Sequence, residues 1–204
     1  MKDHLKNRSD KEDLKWVRNA KKGNQNAFEK LVLKYQKRIY YSVRKIILDH
    51  DDTNDIAQDT FVKAYSNLHR FDERFSFYPW LHRIAVNTTL NFQAKTSRVK
   101  TTFTNSTEDE VNQIAFNNEN PLEGVIEIEF KEKLTAALQQ LPFDQRMVFI
   151  LRTSDELSYQ EISEQLDISV GTVMSRLSRA RTKLRELLQD YLSENNVKGA
   201  NNEL

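Results

Sequence analysis

Residues 157–187 read LSYQEISEQLDISVGTVMSRLSRARTKLREL, and the spacing of their apolar side chains decides the fold. Ile162 and Leu166 lie four residues apart, on one face of a short helix. Asp167 to Val170 breaks that period as a turn, and Val173, Leu177, Ala180 and Leu184 then resume it at spacings of three and four. Two short helices joined by a tight turn make a helix-turn-helix, whose second helix reads the major groove of DNA. Thr172, Ser175, Arg176 and Arg179 fall on the side away from the stripe, with Lys183 one turn beyond. Hydroxyls suit phosphate or base-edge hydrogen bonds, and a guanidinium forks onto guanine or phosphate. Gly171 at the helix start permits close approach to a backbone. An ordinary amphipathic surface helix is the competing reading. Against it stand five cations from Arg176 to Arg185, with no acid before Glu186.

Working outward, residues 128–192 form one predicted domain around this motif. A helix through Phe130, Leu134, Leu138 and Leu141 ends before Pro142, and a second contains Met147, Val148, Ile150 and Leu151. A polar tail, 193–204, follows. Residues 99–127 include TTFTNSTEDEVNQ and NNENP, which are polar, acidic and poor in apolar periodicity, so a flexible linker is expected there. A first domain is expected over 11–98, after a charged tail at 1–10. Asn26 with Glu29 resembles a capping box. Phe28, Val32, Tyr35, Ile39, Val43 and Ile46 make a helical stripe. A turn at LDHDDTND caps the next helix, with Ala57, Phe61, Ala64 and Leu68 on its inward face and Asp52, Asp55 and Asp59 on the other. Past the turn HRFDERFS, Pro79 suits a first helical turn, and Leu81, Ile84, Ala85, Thr88 and Phe92 continue inward. The fold class is all-α: two small helical domains joined by a flexible acidic linker, the second containing the helix-turn-helix.

Composition agrees with that class. The chain has 204 residues, only four Gly and three Pro, and 38% apolar residues. Without Cys it has no disulfide or thiolate metal site, which suits a reducing cytoplasm. No apolar run nears the roughly 20 residues that span a bilayer, and the charged start lacks a signal-peptide core, so an intracellular protein without membrane insertion is expected. The net charge of +1 hides a division along the chain. Residues 1–98 carry 20 Lys and Arg against 12 Asp and Glu, residues 99–130 carry 1 against 7, and residues 131–204 carry 10 against 11. Basic zones on either side of an acidic segment point to polyanion contact at two places.

Three motifs then carry a family resemblance. LSYQEISEQLDISVGTVMSRLSRARTKL resembles the promoter −35-binding segment of the extracytoplasmic-function (ECF) sigma factors. NDIAQDTFVKAYSNLHRF resembles the family's helix that docks on the polymerase clamp, and FYPWLHRIAVNTTLN the helix that melts and reads the −10 element, notably in envelope-stress members. The resemblance implies a sigma factor that binds core RNA polymerase through the β′ clamp and β flap and opens promoter DNA. It implies −35 contacts from Thr172, Ser175, Arg176, Arg179 and Lys183, and polymerase contacts from Asp55, Gln58 and Asp59. For the −10 element it implies Asn87 and the turn around Phe71 at a flipped base, with Trp80, Arg83, Asn91, Lys95 and Arg98 beside them. Stacking and edge hydrogen bonds are what an extruded base requires. Trp80 reads equally as core, and Phe61 reads as core. An anti-sigma factor is a further implied partner. Met174 stands where a cation is frequent, Asn91 where an acid is usual and His82 where an aromatic is common.

Two rival classes remain: a freestanding LuxR-type helix-turn-helix regulator, which leaves the first domain without purpose, and a protein-interaction adaptor, which leaves the basic helix without one. Enzymology finds little support. His4, His50, His69 and His82 share no ligand spacing, and no phosphate loop or nucleophile motif occurs. Asp51, Asp52, Asp55 and Asp59 lack the Gly-turned loop of a calcium site. No catalytic residue, metal or cofactor is expected.

Overall fold

A computed structural model of the chain describes residues 2–102 and 121–200, with side chains described over 10–97 and 129–193 apart from 190 and 192. Among the described residues the elements are helical: α1 (Lys2–Lys21), α2 (Gln25–Ile47), α3 (His50–Asn67), a 3₁₀ turn (Leu68–Arg70), α4 (Phe77–Thr102), α5 (Pro121–Gln139), α6 (Phe143–Thr153), α7 (Tyr159–Leu166) and α8 (Val170–Ala200). The chain divides into two compact units, Met1–Glu108 and Asp109–Leu204. Helical backbone runs further than composition suggested, through residues 2–10, 99–102, 121–127 and 193–200. The remainder of the expected linker, 103–120, lies outside the described residues.

Unit 1 is built on α2, against which α1, α3 and α4 all pack. Gly23 ends α1 with φ 91°, a left-handed conformation that costs glycine little. That turn presents Asn24, whose side chain accepts from the Ala27 N–H at 3.1 Å and caps α2. The cap is therefore Asn24 and not Asn26. Leu31, Tyr35, Ile39, Val43 and Ile46 turn inward, while Val32 is half-buried. Asp49 caps α3 by accepting from the Asp52 N–H at 2.8 Å.

The buried face of α3 is rotated from the expected one. It consists of Thr53, Ile56, Thr60 and Ala64, whereas Ala57 and Phe61 are only half-buried. Thr60 Oγ1 donates to the Ile56 carbonyl at 2.7 Å, and Thr53 Oγ1 to that of Asp49. Hydroxyls satisfied by their own helix can face a core. On α4 the same device buries Thr89, which bonds Ala85 O at 2.9 Å beside Leu81 and Val86. Between α1 and α2, the fully buried Asp13 accepts from Lys34 Nζ and from the Tyr35 hydroxyl. Burial and the adjacent Asp13 carboxylate raise the Tyr35 phenol well above its ordinary range.

In unit 2, α5, α6 and α7 all pack on α8. Leu138, Leu141, Met147, Val148, Leu151, Ile162, Val173, Leu177, Ala180 and Leu184 form its buried interior, as the two stripes predict. Arg146 Nη1 bonds the Leu138 and Leu141 carbonyls at 3.1 and 3.3 Å, satisfying the end of α5. Ser158 and Glu161 make a reciprocal capping box on α7, with Ser158 N–H donating to Oε2 of Glu161 at 2.8 Å. The Ser158 hydroxyl, and after it that N–H bond, lower the Glu161 carboxyl below its usual range. Asp167, at φ 52°, reverses the chain, and Ser169 Oγ accepts from the Thr172 N–H at 3.1 Å to start α8. Ser158→Ala removes one half of the box, so it should lower unfolding free energy by about 1 kcal/mol in a urea titration of the full chain.

Candidate nucleic-acid interface

The buried stripe of α8 turns other side chains of the helix outward. Ser175 and Arg179 are exposed there, as are Met174, Arg181, Lys183 and Arg185. Thr172 is half-buried, its hydroxyl 2.8 Å from that of Ser169, and Ser175 Oγ donates to the Thr172 carbonyl at 3.0 Å, which keeps its lone pairs as acceptors. Lys183 lies 3.7 Å from Glu186. Arg176 is engaged more firmly, 2.6 Å from Asp144 of α6. Gly171 is exposed, and a Cβ there would meet nothing nearer than Ser169 Oγ at 3.7 Å. Among the described residues nothing requires a glycine at that position.

A second outward row lies on α4. Arg83, Asn87, Asn91 and Lys95 are all exposed and recur every four residues, which sets them along one side of the helix. The side chain of Arg98 lies outside the described residues. Leading into α4, the turn at 71–76 is clamped to α1. Lys21 Nζ donates to the Phe71 carbonyl at 2.8 Å, and Arg18 and Lys21 reach Glu73 at 2.7 and 3.2 Å. Arg74 forks onto Asp72, and its hydrogen bonds hold that carboxyl down at about 2.

The rings of this turn divide in an unexpected way. Phe71 is 3% exposed, with ring centroids 5.7 Å from Phe77 and 5.2 Å from Trp80. Its ring therefore belongs to the core and anchors the turn from within. Trp80 is half-buried and also rests on Phe77, at 5.6 Å. It packs at the core's edge with part of the ring open. The ring that the turn exposes is Phe75, at 64%. Three phenylalanines at 71, 75 and 77 look alike in the sequence, so no periodicity marks Phe75 as the outward one.

On α3, Asp55, Gln58 and Asp59 are exposed, Asp59 lying 3.6 Å from Lys63. Beside them α2 and α3 frame an open groove of about 800 Å³, lined by Phe28, Val32, Tyr41, Phe61, Val62 and Tyr65 among others. Phe61 is a wall of this groove and not a fully buried core residue. Among the described residues no group of three His, Asp or Glu could hold a metal ion, and no helix is long and apolar enough to cross a membrane.

Comparison with known proteins decides what these surfaces belong to. The Sigma-70 region 2 family matches residues 31–99, and the Sigma-70 region 4 family matches residues 131–184. RNA polymerase sigma-H factor of Pseudomonas aeruginosa is 34% identical over 187 residues, covering 90% of this chain and 97% of that factor. The ECF sigma factor SigW of Bacillus subtilis is 34% identical over 86% of this chain and 96% of its own length. The chain belongs to the sigma-70 family, among the ECF sigma factors.

Solved structures agree in fold. RpoE of Bartonella quintana, crystallised with the anti-sigma factor NepR, matches with a TM-score of 0.60 and 26% identity, over 79% of this chain and 96% of that one. CnrH, solved with the cytosolic domain of CnrY, matches with a TM-score of 0.56 and 27% identity, over 88% and 98%. A sigma factor directs RNA polymerase to promoters, and the freestanding LuxR-type regulator is set aside. Region 2 thus contains α3, the 71–76 turn and the outward row of α4, and region 4 contains α6, α7 and the first half of α8.

Within this sigma factor, the departures noted above take different structural meanings. His82 is buried, its Nε2 2.9 Å from Ser42 Oγ, and belongs to the packing of α2 on α4. Met174 and Asn91 are exposed and alter the outward faces themselves. The division between Phe71 and Phe75 predicts opposite effects on stability. Phe71→Ala should cost about 3–5 kcal/mol, and Phe75→Ala should stay within about 0.5 kcal/mol of wild type. Paired urea unfolding curves read both.

Proposed function

We propose that this sigma factor divides its work between two domains, 11–98 and 128–192, joined by a linker at 99–127. Region 4 holds the −35 element on α8, with Ser175, Arg179 and Lys183 outward and Thr172 and Arg176 beside them. Region 2 takes the −10 strand along Arg83, Asn87, Asn91 and Lys95, with Arg98 continuing the series. The observation that carries this reading is the alignment of those four exposed side chains on α4 next to a turn that exposes an aromatic ring. A melted strand needs cations for its phosphates, amides for base edges and a π-face for stacking, all within one strand's reach.

Phe75 supplies the stacking ring in this reading, and Phe71 and Trp80 hold the turn from beneath. Strand separation needs no chemical step from the chain. Trapping of unstacked bases provides the free energy, so the protein acts without enzymatic activity of its own. It acts where its polymerase acts, in the cytoplasm. Asp55, Gln58 and Asp59 meet basic groups on the polymerase clamp, and region 4 meets the β flap. The anti-sigma factor NepR in the RpoE structure supports an anti-sigma factor here too.

Two measurements test this division. Permanganate footprinting of reconstituted holoenzyme should show lost melting in Asn87→Ala and in Phe75→Ala, with Phe75→Trp retaining it. Normal melting in both alanine variants would move base capture away from this turn. Separately, the double reversal Asp55→Lys, Asp59→Lys should abolish capture by core polymerase, because like charges facing each other across an interface cost several kcal/mol. Both acids are exposed, so the variant's thermal melt should match wild type. Retained capture would place docking on another face.

A further inference from the structure

The cations of α8 are held in two different conditions. Arg179, Arg181 and Arg185 are exposed, and Lys183 lies 3.7 Å from the side chain of Glu186, one turn along its own helix. Arg176 is committed to another element. Its Nη2 lies 2.6 Å from Oδ2 of Asp144, and its side chain is 26% exposed, against 55% for the carboxylate. Asp144 occupies the first turn of α6, where the helix dipole favours an anion without help from the arginine. The α6–α8 packing buries Val148 completely and Leu177 almost so, which fixes the distance between the two partners.

A guanidinium held in this way differs from a free one in two respects. It samples fewer orientations, so a forked contact with a base edge or phosphate costs less ordering. The neighbouring carboxylate also offsets part of its attraction for any phosphate, which is the sequence-independent component of DNA binding. Both effects disfavour arbitrary DNA relative to a matched site. We propose that Asp144 is a specificity-determining residue of this sigma factor. Through Arg176 it raises the ratio of promoter to non-promoter affinity, acting as a positioning residue that touches no DNA itself. The inference rests on the reading of α8 as the −35 reader.

The test uses the full chain reconstituted with core RNA polymerase. The probes are a duplex recovered from a random pool by the wild-type holoenzyme and a scrambled duplex of equal composition. Both are titrated across a salt series. Asp144→Asn keeps the shape and removes the charge. Affinity for the scrambled duplex should rise, and preference for the recovered duplex should fall about tenfold. The slope of log affinity against log salt should steepen by about one as Arg176 neutralises a phosphate more fully. Asp144→Glu should recover most of the preference. A lowered thermal melt with preference and slope unchanged would make the pair purely structural and overturn the proposal. Arg176→Lys gives a second reading in case Asp144→Asn folds poorly. It keeps the charge and loses the fork, so preference should fall with little change in slope, and undiminished preference would overturn the proposal. If Arg179→Ala likewise leaves the recovered duplex bound as before, the −35 reading of α8 fails, and this inference with it.

Discussion

Phe71 sits against Phe77 and Trp80 while Lys21 on α1 bonds its carbonyl at 2.8 Å. A buried ring and a bonded backbone together fix the 71–76 turn at both of its layers, and much of region 2 takes its position from that. With Phe71 inside, the short path to α4 leaves Phe75 outside, at 64% exposure. The α4 backbone starts at Phe77, whose fully buried ring sets the helix's rotation about its axis. That rotation puts Leu81, Ala85 and Val86 inward and Arg83, Asn87, Asn91 and Lys95 outward. The outward row is therefore a by-product of core packing and needs no loop to hold it. Sites built on such rigid elements keep their geometry better than sites carried by loops alone.

Region 4 presents its cations unevenly. From Val170 to Arg185 α8 has no acid, yet α6 supplies one at Asp144. The exposed Arg179 and the engaged Arg176 stand on the same helix with different electrostatic value. Burial and pairing, and not the count of basic residues, set what each contributes.

Much of this was legible in the sequence where apolar spacing and side-chain capping agree. The stripe through Val173, Leu177, Ala180 and Leu184 predicts the buried face of α8, and the turn at Asp167 separates the two helices. Where polar residues enter the core, spacing misleads. Thr53 and Thr60 bond carbonyls of their own helix, so α3 is rotated toward them and Phe61 is left at a groove. Two asparagines flank Gln25, and only the turn at Gly23 selects Asn24 as the cap. Among the aromatics, Phe71 and Phe75 are chemically identical, and the clamp from Arg18 and Lys21 that separates their fates comes from 50 or more residues away. The Asp144–Arg176 pair is hidden for the same reason, since neither residue's neighbours in sequence announce the other.

The buried Asp13, with Lys34 and Tyr35 bonded to it, carries a consequence for how this protein can change over time. Replacing Asp13 takes the acceptor from the Tyr35 hydroxyl and the carboxylate from Lys34, and replacing either donor removes one partner from a buried carboxylate. Each single step crosses a costly intermediate, because an uncompensated buried charge is strongly destabilising. Exchange of the whole trio for apolar residues of similar volume costs far less. The three positions are therefore epistatic. Descendants of this chain should keep all three or lose them together, so the join between α1 and α2 drifts in jumps while the surfaces around it drift one residue at a time.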